Sequence, residues 1–158
     1  MTNDAMPFSG EQTLKPFAVF EVALAAPVTV DGEGPAARRF IPIAGGAFSG
    51  RIEGRVLPGG GDWQWVWPDR LELSAHYILE TKDGALIEVR SEGVRYGTPE
   101  VLERLARGED VDPADYYFRT AVRLTTGAHA YKHLNHMLGV AMAARRPKGV
   151  FLRVFEVL

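Results

Sequence analysis

The sequence predicts an all-β fold, a single antiparallel β-barrel of about eight strands carrying one short helix. Three observations lead there. Short segments such as Leu71–Thr81 and Ala85–Arg90 alternate apolar and polar residues, the period that places successive side chains on opposite faces of a strand. Turn punctuation rich in Gly, Pro and Asp recurs about every ten residues. Only one stretch, Pro99–Arg107, carries both start and stop signals of a helix.

Residues 1–15 are polar and aperiodic and read as a loose N-terminal arm, leaving 16–158 for the barrel domain. Pro16–Val30 is β-prone and apolar on both faces, which suits a barrel wall. It ends at the turn Asp31-Gly32-Glu33-Gly34-Pro35, and a strand over Ala37–Ile43 follows. Ile43–Trp67 then packs seven glycines and three tryptophans. Gly50–Leu57 and Asp62–Trp67 flank Pro58-Gly59-Gly60-Gly61, a pattern that predicts two adjacent antiparallel strands joined by a tight glycine turn. In the second, Trp63, Trp65 and Trp67 share one face and Asp62, Gln64 and Val66 the other. Aromatics on one side and an acid and an amide on the other call for two environments, as in a barrel with a polar lumen.

After Pro68-Asp69-Arg70, the strand Leu71–Thr81 sets Leu71, Leu73, Ala75, Tyr77 and Leu79 against Glu72, Ser74, His76 and Glu80. Lys82-Asp83-Gly84 is a hairpin turn, and Ala85–Arg90 alternates again. Thr98 can cap the helix, Pro99 fits its first position, Glu100 complements its dipole and Gly108 ends it. Strands over Tyr116–Thr125, Leu134–Ala143 and Gly149–Leu158 complete the chain, with a glycine- and histidine-rich connection at residues 127–132.

Composition narrows the function classes. At 158 residues, 46% hydrophobic and 24% charged, the chain is one globular domain with a real core. A net charge of −2 argues against nucleic-acid partners, which call for a basic surface. The absence of cysteine excludes disulfides and thiolate chemistry. No apolar run is long enough for a membrane helix, no signal peptide is evident, and a cytoplasmic location is expected. The glycines of residues 45–61 lack the Lys-Ser/Thr of a phosphate loop and read as bulge and turn glycines of a curved sheet.

Two clusters can carry chemistry. Asp62 and Gln64 share a strand face, as do Ser74 and His76, Glu88 and Arg90, and Tyr117 and Arg119. Pointed inward, these faces would line a lumen with carboxylates, an imidazole, guanidinium groups and a phenol. Asp62, His76 or Glu88 would then move a proton, and Arg119 would clamp a carboxylate or oxyanion with its planar fork. The same alternation is equally met by polar faces turned to solvent with the tryptophans inside, or by an internal salt-bridge network. The second cluster is His129, His133 and His136 with Asn135. Its spacing suits a metal site only on a helix; as a loop entering a strand, the segment offers His133 or Asn135 to the lumen or leaves the histidines at the surface. No metal and no cofactor are expected.

Several motifs carry a resemblance. Gly45-Gly46-x-Phe48-x-Gly50 and the run Gly54-x-Val56-Leu57-Pro58-Gly59-Gly60-Gly61-Asp62-Trp63-Gln64 resemble the signature of the DUF3237 (UPF0311) family. Asp83-Gly84-Ala85-Leu86-Ile87, Gly93-Val94-Arg95 and Asp112-Pro113-x-x-Tyr116-Tyr117-Phe118-Arg119-Thr120 resemble it in the same order. The resemblance covers about the whole chain and implies a β-barrel of about eight strands, but little chemistry. It places Asp62, Gln64, Tyr117 and Arg119 within recurring motifs. The chain departs from the family pattern at Asp69-Arg70, where Asp-Gly is usual, and at His76-Tyr77, where an arginine precedes the tyrosine. At Ala143-Ala144-Arg145-Arg146 it lacks the family's glutamate.

Two readings of function follow. In the first, a small-molecule ligand occupies the lumen, and a cofactor-independent enzyme isomerises, cyclises, cleaves or hydrolyses an oxygenated compound by proton transfer. Asp62, His76, Tyr117 and Arg119 are then catalytic, and Gln64, Glu88, Arg90, His133 and Asn135 bind the ligand. In the second, the protein is a non-catalytic ligand-binding barrel, or a homodimer joined through outward tryptophans.

Overall fold

Period-two alternation is realised as ten strands in one antiparallel sheet. The computed structural model describes residues 10–158. The strands are β1 (Leu14–Leu24), β2 (Val28–Asp31), β3 (Ala37–Gly50), β4 (Gly54–Val56), β5 (Gly61–Val66), β6 (Arg70–Thr81), β7 (Leu86–Gly97), β8 (Tyr116–Thr125), β9 (Leu138–Arg146) and β10 (Gly149–Val157). From β5 to β10 each strand pairs with the next, β10 returns to β1, and β1 pairs with β3, which pairs with β5. The sheet closes as an eight-stranded antiparallel barrel, with β2 and β4 as two extra strands. Residues 1–9 of the expected arm lie outside the described residues, while Leu14 and Lys15 already belong to β1.

The glycine-rich stretch is built differently from the expected hairpin. β4 and β5 both lie antiparallel between β3 and β6, so they form one interrupted strand running in one direction. The chain reverses earlier, over residues 51–53. The bonds from Leu57 N to Ile78 O and from Ile43 N to Gly60 O, both 2.9 Å, hold the interruption in line. A Cβ on Gly60 would stand 2.5 Å from His76 O, so the glycines let the backbone press against β6 instead of turning away from it.

The interior divides into two halves. One end is packed solid: Phe20 and Phe48 meet edge to face at 5.8 Å, and Leu79, Ile87, Val89, Val122 and Leu124 are fully buried around them. This end is plugged by residues His129–His136, which form a 3₁₀ helix where a loop and the start of a strand were expected. Leu134 enters the core with no exposure. Asn135 ties the segment down by accepting from Thr126 N at 2.8 Å and donating to Thr126 O at 3.0 Å. The other end is crossed by α1 (Pro99–Ala106), which starts as expected with Thr98 accepting from Val101 N at 3.3 Å. A second 3₁₀ turn, Pro113–Asp115, leads into β8. No helix among the described residues is long and apolar enough to cross a membrane.

Candidate functional site in the barrel lumen

The half of the barrel beneath α1 is hollow. A cavity of about 540 Å³ opens there, its polar wall made by Arg39, Asp62, Gln64, Trp67, Arg95 and Arg145. A smaller chamber of about 40 Å³ continues inward past Asp62, lined by apolar side chains and by Tyr77, Ser91 and Thr120. The outer volume lies within the usual range for small-molecule sites.

Each polar side chain is placed by strand parity. Asp62 and Gln64 stand on the inner face of β5, only 8% and 6% exposed. Arg39 shares the inner parity of Ile41 and Ile43 on β3, Arg95 that of Ile87, Val89 and Ser91 on β7, and Arg145 that of Ala141 and Ala143 on β9. Gln64 links two of them: its Nε2 donates to Asp62 Oδ2 at 2.6 Å, and its Oε1 accepts from Arg39 Nε at 2.7 Å. Arg145 Nη1 donates to Gly149 O at 2.9 Å, and its backbone N–H donates to the Tyr116 hydroxyl at 2.9 Å.

The electrostatics follow from burial. Desolvation pushes the Asp62 carboxyl up to about 6, against the lowering effect of the Gln64 hydrogen bond and the Arg39 charge. Burial, then repulsion from Arg39 and Arg145, brings Arg95 down to about 10. Arg39 and Arg145 are also lowered, first by burial. Tyr77 is held above the ordinary phenol range by burial and then by the Asp62 charge.

Four buried side-chain atoms have no hydrogen-bond partner: Asp62 Oδ1, Trp67 Nε1, Tyr77 OH and Arg95 Nε. All four belong to residues lining these two cavities. Such atoms are expensive unless something bonds to them. The arrangement offers a carboxyl poised to give or take a proton near neutral pH and guanidinium donors suited to an oxyanion.

Of the sequence-derived site residues, the structure brings only Asp62 and Gln64 into the hollow. Apolar burial decides the facing of the other strands: β6 turns Leu71, Leu73, Tyr77 and Leu79 inward, β7 turns Ile87 and Val89, and β8 turns Tyr116 and Phe118. His76, Glu88 and Arg90 therefore meet on the outer surface, with Glu88 Oε1 3.5 Å from His76 Nε2 and 3.4 Å from Arg90 Nε. Tyr117 stacks on Tyr96 at 4.9 Å outside the barrel. Arg119 lies over the Tyr117 ring at 5.1 Å and donates to Phe118 O at 2.9 Å. His133 is exposed on the end plug, and Asn135 is occupied by the Thr126 backbone. Trp63 and Trp65 face outward, 41% and 40% exposed. Trp67 leaves their face because β5 ends at Val66. No group of three or more His, Asp or Glu residues is placed to hold a metal ion among the described residues.

Arg39, Arg95, Arg145, Tyr77 and Trp67 were not assigned to the site from the sequence. A signal existed for Arg95: extending the Ile87/Val89 alternation beyond Arg90 places it on the inner face.

Fold and site define a closed antiparallel barrel with a polar, partly unsatisfied hollow at one end. The chain belongs to the DUF3237 family, whose model, described as a protein of unknown function, matches residues 12–157. A UPF0311 protein of Rhodopseudomonas palustris is 45% identical over 150 residues, 92% of this chain and 98% of that protein. The crystal structure of a conserved R. palustris protein of unknown function superposes with a TM-score of 0.89 at 38% identity, covering 96% of this chain and all of the other. A structure described as an enzyme from Penicillium herquei shares the fold at 16% identity, with a TM-score of 0.73 over 97% and 99% of the two chains.

Proposed function

We propose that the hollow beneath α1 binds a small oxygenated organic molecule and that Asp62 transfers a proton to or from it, making the protein a cofactor-independent enzyme of the isomerase, cyclase, lyase or hydrolase type. The observation that carries this reading is Asp62 itself. Its Oδ2 accepts from Gln64 while Oδ1 is buried without a hydrogen-bond partner, on a residue that lines both cavities, and burial tunes the carboxyl to about 6, the condition a general acid or base needs near neutral pH. The P. herquei protein described as an enzyme supports the reading at the level of fold only.

In this reading His76, Glu88, Arg90, Tyr117, Arg119 and His133 do not touch the ligand. The test is thermal unfolding of wild type, Asp62→Asn and Arg119→Ala against hydroxy acids, phenolic acids, lactones and sugar acids. A ligand at a hundred times its dissociation constant stabilises by about 2.7 kcal/mol, about 5–10 °C for a domain of this size. Binders are then incubated with protein and examined by mass spectrometry. Conversion by wild type and Arg119→Ala but not by Asp62→Asn is expected. A ligand recovered unchanged after long incubation would leave a non-catalytic binding barrel.

A second reading, a homodimer joined through the outer aromatics, is favoured by the exposure of Trp63 and Trp65. Against it, the Arg38 guanidinium lies 5.0 Å and 4.6 Å from these two rings and covers part of them within one chain. A monomer by light scattering at high concentration would remove this reading.

A further inference from the structure

We infer that the ligand of the hollow is an organic anion, a carboxylate-headed molecule whose charged end is received by Arg95 with Arg39 and Arg145 beside it. The inference rests on the hollow being a binding site and adds the class of molecule that fits it.

Arg39, Arg95 and Arg145 line the inner wall against one buried carboxyl group, Asp62, itself partly protonated near neutral pH; the other lining carboxylate, Glu103 of α1, is exposed to solvent. The rim arginines are already matched, Arg70 by Asp69 and Glu72 and Arg107 by Glu109. The inner three are not. Arg39 donates to the neutral Gln64 amide and Arg145 to the carbonyl of Gly149, bonds that orient the two groups without neutralising them. Arg95 is 8% exposed and its Nε has no partner. Each of the three lies within electrostatic reach of another. Like charges collected in a partly desolvated space are unfavourable unless an anion joins them, and a planar guanidinium presents paired donors matched to a carboxylate.

The geometry also orients the molecule. With its head at Arg95, the body passes Asp62 Oδ1, and the chamber beyond, only about 40 Å³, admits a short substituent. Ser91 and Thr120 bond to each other there at 2.8 Å, which leaves the Tyr77 hydroxyl and Asp62 Oδ1 as the unsatisfied polar atoms of the residues lining that chamber.

The test uses ¹⁵N-labelled protein and matched probes: benzoate, 4-hydroxybenzoate and cinnamate, each against its primary amide. The Arg95 Nε–H and Trp67 Nε1–H resonances, assigned with Arg95→Met and Trp67→Phe, report from within the hollow. The acids are expected to shift both signals and to bind at least tenfold more tightly than the amides. Arg95→Met is expected to cut acid affinity at least tenfold while the ligand-free protein unfolds at the same temperature or higher. Amides that bind as tightly as acids would overturn the anion and leave the binding site standing. Acids that bind Arg95→Met undiminished would overturn it as well. If no probe, acid or amide, moves the Trp67 signal, the hollow is not a binding site and both readings fail. A fall in unfolding temperature with unchanged acid affinity would make Arg95 a structural residue.

Discussion

Replacing Asp62 by Asn should stabilise the ligand-free protein at neutral pH, and the gain should vanish in mild acid. The side chain is buried, and its carboxyl titrates near 6 in place of 3.8, a difference of about 3 kcal/mol between the two protonation states. Between these two values the folded protein holds a proton that the unfolded chain has released, so stability falls as pH rises through that window. Below it both states are protonated and there is no penalty; above pH 6 both are ionised and the full penalty applies. Asn keeps the shape and never ionises, and its amide oxygen still accepts from Gln64. At pH 7.5 Asp62→Asn should therefore be more stable by up to about 3 kcal/mol, or about 6–12 °C in unfolding temperature. Near pH 4 the two proteins should unfold together. Denaturant unfolding of both proteins in half-unit pH steps checks this, because every other titrating group is common to the pair. A variant less stable than wild type at pH 7.5, with the deficit closing as the pH falls, would refute the reasoning. It would make ionised Asp62 a favourable partner of Arg39 and Arg95, and the hollow an internal ion network.

Tyr77→Phe removes a buried hydroxyl that has no partner, so stability should hold or rise by about 1 kcal/mol; a loss larger than that in urea unfolding would reveal a bond to the hydroxyl. Asn135→Ala strips the partners from Thr126 N and Thr126 O and should cost about 1–3 kcal/mol, with ligand binding in the hollow unchanged by calorimetry. Gly46→Ala puts a Cβ 2.0 Å from Glu21 O at a φ of 135°, and the variant should lose about 3 kcal/mol or more. Unfolding within about 0.5 kcal/mol of wild type would show that β1 and β3 can move apart there.

The fold was legible because its signals are local. Alternation, turn residues and the Thr98-Pro99 helix start each lie within a few neighbours, and they translate into the barrel and α1, although Pro16–Val30 divides into β1 and β2, β3 and β7 run seven residues past their expected ends, and the strand expected from Leu134 begins at Leu138. The family motifs reinforce the same architecture. The glycine interruption misled because Pro58–Gly61 looks like a hairpin turn, and only the neighbouring strands decide between reversal and continuation. The site was half legible for a related reason. Period two sorts side chains into two faces but does not say which face is inside. On β5 the polar face is the inner one, while on β6 and β7 the apolar face is. On β5 the opposite face carries Trp63 and Trp65, which lie outside against Arg38. Arg95 and Arg145 were hidden by the opposite effect: each continues a face that is apolar for most of its strand, so a charged residue at its end reads as the strand's edge.

That pattern bears on why the hollow should be functional at all. Around the plugged end, large apolar side chains fill the barrel, and the Asn135 side chain finds partners in the Thr126 backbone. A few strand positions further up, the same strands carry arginines, an acid and a phenol, and the four orphaned polar atoms collect there. Had stability alone shaped that end, apolar residues of similar size would serve better, since buried charges without partners are unfavourable. The packed half already supplies a core, so the hollow half can carry polar groups that the barrel's own residues leave without partners. Asp62 lines both cavities, with Oδ2 accepting from Gln64, itself held by Arg39, and Oδ1 buried without a hydrogen-bond partner.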